Sequence, residues 1–326
     1  MAALPARRLA PLRLLTAEAP VWRCRRRRGG KRCPSSARAE KVTATPGPGG
    51  LSEEQTERYS RHIVMPQIGR RGQAKLLAGR ALIIGAGGLG SASSLYLAGA
   101  GVGVLGIVDS DDVEFSNLHR QMLYRTADVG RPKVERAAEA LRARNGDVEV
   151  VCYRQRLTAA NAAQIIGANW DLVVDCSDNF PARYLINDAC VLLGVPNVHA
   201  SVFQFEGQAT VFIAGAGPCY RCVYPAPPPS GEVGSSRETG LLGVLPGVLG
   251  VIQATEALKL LLDIGRPLVG RLLTYDALSM RFQEFEVRRD PSCAVCGKGS
   301  STTQLTDHEH CAEQRHGGPG GRRGAG

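Results

Sequence analysis

A doubly wound, mostly parallel α/β sheet with a C-terminal antiparallel portion is the fold this sequence predicts, and three observations predict it. An apolar strand, Ala81–Ile84, runs into the turn Gly85-Ala-Gly-Gly-Leu-Gly90 and on into the small-residue helix Ser91–Ala98. Apolar runs then alternate repeatedly with helical patterns, which is the signature of parallel strands joined by crossover helices. Beyond Gln204 that alternation stops, and the remaining strands read as antiparallel.

In chain order, residues 1–50 are rich in Arg, Ala and Pro, contain Arg25-Arg-Arg-Arg28, and are expected to form a disordered basic leader. The composition also suits a mitochondrial transit peptide, but Pro5, Pro11 and Pro20 interrupt any continuous amphipathic helix, so a cytoplasmic location is expected. Ser52-Glu-Glu-Gln55 supplies a capping box for one helix through Arg58 to Ile63, with Arg58, Tyr59 and Arg61 on it.

Gly85, Gly87 and Gly90 meet the G-x-G-x-x-G spacing, in which a tight turn lets a phosphate approach backbone N–H groups at a helix N-terminus. The strand Val104–Val108 then ends at Asp109, placed to meet a ribose hydroxyl. These features alone also fit a nicotinamide oxidoreductase.

The polar segment Asp111–Gln121 leaves that strand, and Lys133 opens a helix over Val134–Asn145. A strand at Val148–Tyr153 and a helix at Thr158–Ile166 follow. Asp171-Leu-Val-Val-Asp-Cys-Ser-Asp-Asn179 reads as a buried strand that delivers Asp175, Asp178 and Asn179 to the same sheet edge. A helix at Arg183–Leu193 leads to a short strand at Asn197–Ala200, then an antiparallel strand at Gln208–Ala214.

Residues 230–240 are Gly/Ser-rich and read as a mobile loop. Gly247–Leu262 reads as a helix with Glu256 and Lys259 on its polar side, followed by closing strands at Leu272–Asp276 and Gln283–Val287. The folded unit is therefore 51–297, and 298–326 is expected to be a disordered glycine-rich tail.

Charge excludes one class of function. Residues 1–50 hold 12 Lys and Arg against 2 acidic residues, which accounts for the whole net charge of +10 and leaves the folded part balanced. A nucleic-acid-binding face is unsupported. The most apolar run, Leu241–Ile252, is broken by Gly243, Pro246, Gly247 and Gly250, so no membrane span is expected.

Of ten cysteines, four form two C-x-x-C pairs, Cys219/Cys222 and Cys293/Cys296. Four soft ligands close a tetrahedral zinc site and leave no open position, so the pairs predict one structural ion stapling two distant segments. A redox C-x-x-C is the competing reading. Cys176 and Cys190 fall in core patterns.

Arg120, Lys133 and Asp178 lie on successive connections at one sheet edge, with Asn117 and Asn179 beside them. Two cations suit a triphosphate and a carboxylate suits magnesium. The glycine turn, the segment Val108-Asp-Ser-Asp-Asp-Val-Glu-Phe-Ser-Asn-Leu-His-Arg-Gln121, the helix-opening Lys133, Cys176-Ser-Asp-Asn179 and the two cysteine pairs together resemble the ubiquitin-activating-type adenylyltransferases of the MoeB/ThiF family.

The resemblance spans 51 to about 297 and implies a Rossmann-like fold. It implies that ATP is held by Gly85, Gly87, Gly88 and Gly90, by Asp109, by Ser116, Asn117, Leu118, His119 and Arg120, and by Lys133 and Asn179. By the same resemblance Asp178 binds magnesium. Arg61 joins Arg120, Lys133 and Asp178 as a catalytic residue, reaching the phosphates of a second subunit, so a homodimer is expected.

The implied reaction is adenylation of the C-terminal glycine of a ubiquitin-like sulfur carrier, serving molybdopterin synthesis or tRNA thiolation. Members that handle sulfur carry a cysteine in the loop after the proline-rich stretch that stands here as Tyr224-Pro-Ala-Pro-Pro-Pro229, and a rhodanese-like domain. Here Ser236 stands about where the thiol would be and no such domain follows, so sulfur transfer is expected to be lost or delegated to a separate donor protein. A silent scaffold that only binds the carrier is the alternative.

Overall fold

The computed structural model describes residues 50–227, 239–300 and 304–307. The leader, the loop containing Ser236 and most of the tail lie outside these residues. One eight-stranded sheet runs in the order β3-β2-β1-β4-β5-β6-β7-β8. Its parallel half comprises β1 (Arg80–Ile84), β2 (Val104–Val108), β3 (Glu149–Tyr153), β4 (Leu172–Asp175) and β5 (Asn197–Phe203). Then β6 (Glu206–Phe212), β7 (Arg271–Asp276) and β8 (Arg281–Glu286) continue it antiparallel.

Strand β1 is the pivot. It pairs in parallel with β2 on one side and β4 on the other, so the strand order reverses at its carboxyl end. Open α/β sheets bind ligands at such a point. Ala81, Leu82 and Ile83 on this strand are fully buried, which explains the unbroken apolar run.

Helices α4 (Gly88–Gly99), α5 (Lys133–Arg144), α6 (Ala159–Ile166) and α7 (Phe180–Leu193) make the crossovers. Each lies within a few residues of its predicted position. The final long helix, α9 (Leu245–Leu262), packs on α4 and on β5 and β6. Among the described residues it is the one helix long and apolar enough to cross a bilayer, but half of it is buried in the fold, as in a core helix.

The structure corrects several details. The single N-terminal helix is two, α1 (Glu53–Arg58) and α2 (Ser60–Ile63), broken where Tyr59 turns into the interior. Its hydroxyl donates to Asp147 Oδ2 at 2.9 Å and accepts from Asn145 Nδ2 at 2.8 Å. The capping box on Ser52 and Gln55 is present.

Helix α3 (Gly69–Ala78) had no counterpart in the sequence reading; two glycines in ten residues mask its pattern. α9 starts at Leu245, with Pro246 in its first turn, where a missing N–H costs nothing. Glu256 is not on a polar face: it is buried, its Oε2 accepts from the Leu268 N–H at 2.8 Å, and it pairs with Lys259. In the tail, Leu305 packs against the cluster containing Leu157 and Ala162, and Asp307 Oδ1 accepts from the Ala159 N–H at 2.7 Å.

Candidate active site

The turn after β1 is the floor of the site. Gly85 has φ +98, and a Cβ there would lie 2.7 Å from the Cys176 carbonyl. A Cβ on Gly90 would lie 1.9 Å from the Gly85 carbonyl. Only glycine allows this closure, which points the N-terminus of α4 out of the sheet edge and sets the turn against residues 176–177 after β4.

Asp109 closes the turn from the β2 side. Its Oδ2 accepts from the Ala86 N–H at 2.7 Å and its Oδ1 from the Asp111 N–H at 2.8 Å. Burial pushes its pKa above the usual carboxylate value, against the pull of the Lys133 charge and these two hydrogen bonds. Lys133 is 6 % exposed at the start of α5, and its Nζ meets Asp111 Oδ2 at 2.9 Å. A buried ammonium is thus held beside the glycine turn by a carboxylate the sequence reading did not single out.

The predicted polar segment reaches back to the same turn. Tyr124 donates to the Ala86 carbonyl at 2.7 Å, and Gln121 Nε2 lies 3.7 Å from where a Gly87 Cβ would be. Asn117 Oδ1, Gln121 Oε1 and Ser91 Oγ are buried without a hydrogen-bond partner. Buried polar atoms of this kind, around a cradle that side chains cannot fill, fit a polar ligand such as a nucleotide. Ser116 is exposed and donates to Glu114, while Leu118 packs into the core behind the site. Arg120 Nη1 donates to the Ser116 carbonyl at 3.0 Å and to His119 Nε2 at 2.9 Å.

After β4, Asp178 is exposed and accepts from Asn179 Nδ2 at 3.2 Å. Asn179 caps α7, its Oδ1 accepting from the Ala182 N–H. Asp175 does not reach the edge. It is 1 % exposed and turned inward, with Oδ2 on His199 Nδ1 at 2.8 Å and Oδ1 accepting from the N–H and hydroxyl of Ser177. Cys176 is buried, which pushes its thiol up to about 12 and makes it inert. Arg61 is exposed on α2 and makes no side-chain hydrogen bond among the described residues.

A second centre lies near β8. Cys219 precedes the short helix α8 (Tyr220–Val223), which carries Cys222, while Cys293 and Cys296 sit on the turn after β8. The four Sγ atoms all lie within 4.8 Å of one another. Three of the separations are 3.9, 3.7 and 3.4 Å, too long for disulfides and close to the about 3.8 Å edge of a tetrahedron with bonds of about 2.3 Å.

A glycine turn, a buried lysine and a polar segment converging on the reversal point of a mixed sheet define a nucleotide-binding α/β protein. The chain belongs to the ThiF family, whose model matches residues 59–295. It is 51% identical to the "Sulfur carrier protein adenylyltransferase" of Thermus thermophilus, over 79% of this chain and 97% of that one. It is 49% identical to the "SAMP-activating enzyme E1" of Haloferax volcanii, over 80% of this chain and 97% of that one.

The "Adenylyltransferase and sulfurtransferase MOCS3" of Bos taurus is 50% identical over 84% of this chain, which spans only 60% of that relative's length. Among solved structures, E. coli MccB with MccA-N7isoASN shares the fold, with a TM-score of 0.66 at 23% identity over 74% of each chain.

Proposed function

We propose that this chain adenylates the C-terminal glycine carboxylate of a ubiquitin-like sulfur-carrier protein, as an adenylyltransferase of the ubiquitin-activating type. The observation that carries the reading is Lys133, a buried cation held by Asp111 against the glycine turn, in a chain half identical to two such enzymes along nearly their whole length.

The reaction brings together two anions. A carboxylate oxygen bonds to the α-phosphorus, the bond to the β-phosphate breaks, and pyrophosphate leaves with the electron pair; no proton moves and no protein nucleophile is required. The protein must therefore position the reactants and offset their charge. In this reading the N–H groups at Gly87 and Gly88, with Lys133 and Arg120, hold the triphosphate, and Asn117 and Gln121 supply the buried polar atoms. Asp178 is the carboxylate for magnesium, which when bound would neutralise phosphate charge. Arg61, exposed on α2, is the residue offered to a second subunit of a homodimer. One zinc in the four-cysteine cluster would tie α8 to the segment after β8.

Sulfur transfer is a separate question. Cys176 and Cys190 are both buried and their thiols are pushed up, so neither offers a thiolate, and we assign that step to a separate donor. Molybdopterin synthesis and tRNA thiolation remain the two processes such a carrier would serve.

The test is carrier-dependent exchange of labelled pyrophosphate into ATP. The wild type should exchange, and Asp178→Asn or Arg120→Ala should lower the rate by about 100-fold or more with an unchanged melting temperature. Carrier binding without any exchange would establish the scaffold instead. Oxidation of a reduced nicotinamide cofactor without exchange would establish the oxidoreductase.

A further inference from the structure

We propose that His119 acts through Arg120 as a positioning residue: its neutral imidazole and the Ser116 carbonyl together fix one arm of the guanidinium, leaving the other edge free to grip phosphate. This rests on the adenylyltransferase reading. It departs from the expectation that His119 touches the nucleotide.

The argument begins with a donor-only group. An arginine side chain has five N–H bonds, no lone pair to offer, and no deprotonated form in proteins. Both contacts of Nη1 are therefore donations by Arg120, at 3.0 Å to the Ser116 carbonyl and 2.9 Å to His119 Nε2. For Nε2 to accept, its lone pair must be free, so the ring is neutral with its proton on Nδ1. These two acceptors occupy both hydrogens of Nη1. The Nε–Nη2 edge makes no hydrogen bond among the described residues, and that edge is the planar fork that takes two oxygens of one phosphate.

The ring is held in turn from the other side. A Cβ on Gly243, in the segment leading into α9, would lie 2.8 Å from His119 Nδ1 and 3.0 Å from its carbonyl. The imidazole therefore fills the place a side chain would take. His119 and Arg120 line a cavity of about 280 Å³ with Gly88, Met122 and Gly243, so the pair faces the N-terminus of α4. Arg120 is the only charged residue lining that cavity.

Pyrophosphate exchange by the full chain, at several ATP concentrations, tests this with three variants. His119→Leu should raise the KM for ATP by about tenfold, the value of one hydrogen bond to a charged group, with a smaller change in kcat. His119→Gln, whose side-chain oxygen can accept from Nη1, should keep a KM near that of the wild type. Gly243→Ala, whose added methyl would crowd both the His119 ring and the His119 carbonyl, should raise KM in the same direction as His119→Leu.

A wild-type KM in His119→Leu would overturn the inference, as would a His119→Gln variant as impaired as His119→Leu, which would make the imidazole a direct ligand. Absence of exchange in the wild type would instead refute the adenylyltransferase reading itself.

Discussion

Gly90 and Lys133 make the sharpest demands of any single residues near the site. A methyl group at Gly90 would meet the Gly85 carbonyl at 1.9 Å, and backbone cannot swing aside as a flexible side chain can. Gly90→Ala should cost at least about 1–3 kcal/mol in urea denaturation and should abolish ATP binding measured by calorimetry. Lys133→Met removes the charge that opposes the burial of Asp109, so that carboxyl should rise further. An acid whose folded pKa lies above the unfolded value, about 3.9, contributes stability in its protonated form and loses it as pH rises through the folded value. The variant should therefore lose stability over a wider pH window than the wild type, read as denaturation midpoints across pH. Lys133 and Arg120 were legible in the sequence because motif spacing fixes which loop each occupies. Asp111 and Asp175 were not, because the direction of a side chain at a strand end turns on a single residue: Asp109 and Asp178 stay at the edge, whereas Asp175 points into the core.

Among the secondary elements, β4, β5 and α8 share one buried knot. His199 links Asp175 of β4 to an aromatic cluster, its ring 5.1 Å from that of Tyr220 between the first two cysteines. Burial alone would raise the Asp175 carboxyl, but the hydrogen bond and charge of His199 with the Ser177 hydroxyl outweigh it and hold the group below the usual range. A depressed carboxylate contributes stability above the unfolded value of about 3.9, and that contribution disappears as pH falls through the folded value. His199→Phe leaves the carboxylate buried without its partner. It should destabilise by about 3 kcal/mol in denaturation at neutral pH, with a smaller deficit in acid. The crossover helices were readable because their apolar faces agree with the packing, and the Ser52 capping box marked the start of α1; the Asn179 cap was not read, so α7 begins at Phe180 rather than at Arg183. The break at Tyr59 was hidden because local propensity favours continuing the helix, and only the distant partners Asn145 and Asp147 reward the break.

For the whole molecule, the strand order reverses at β1, where the glycine turn meets residues 176–177, and the alternation of strands and helices was enough to predict the parallel half of that sheet. If the four cysteines hold zinc, a strong chelator should release about one ion per chain and lower the melting temperature by roughly 5 °C, about 2 kcal/mol at this size. If Arg61 serves the neighbouring subunit, two inactive variants, Arg61→Ala and Lys133→Met, should regain about a quarter of wild-type exchange when unfolded and refolded as a mixture, because half the dimers then carry one intact site. The cysteine cluster also joins positions 219 and 222 to 293 and 296, so its last members are among the final described residues to be synthesised. The glycine turn and all eight strands precede the last two cysteines in the chain, so they are synthesised before the clasp can shut. The clasp is thus completed only after every strand of the sheet has been made, so it ties down a fold whose order is already set.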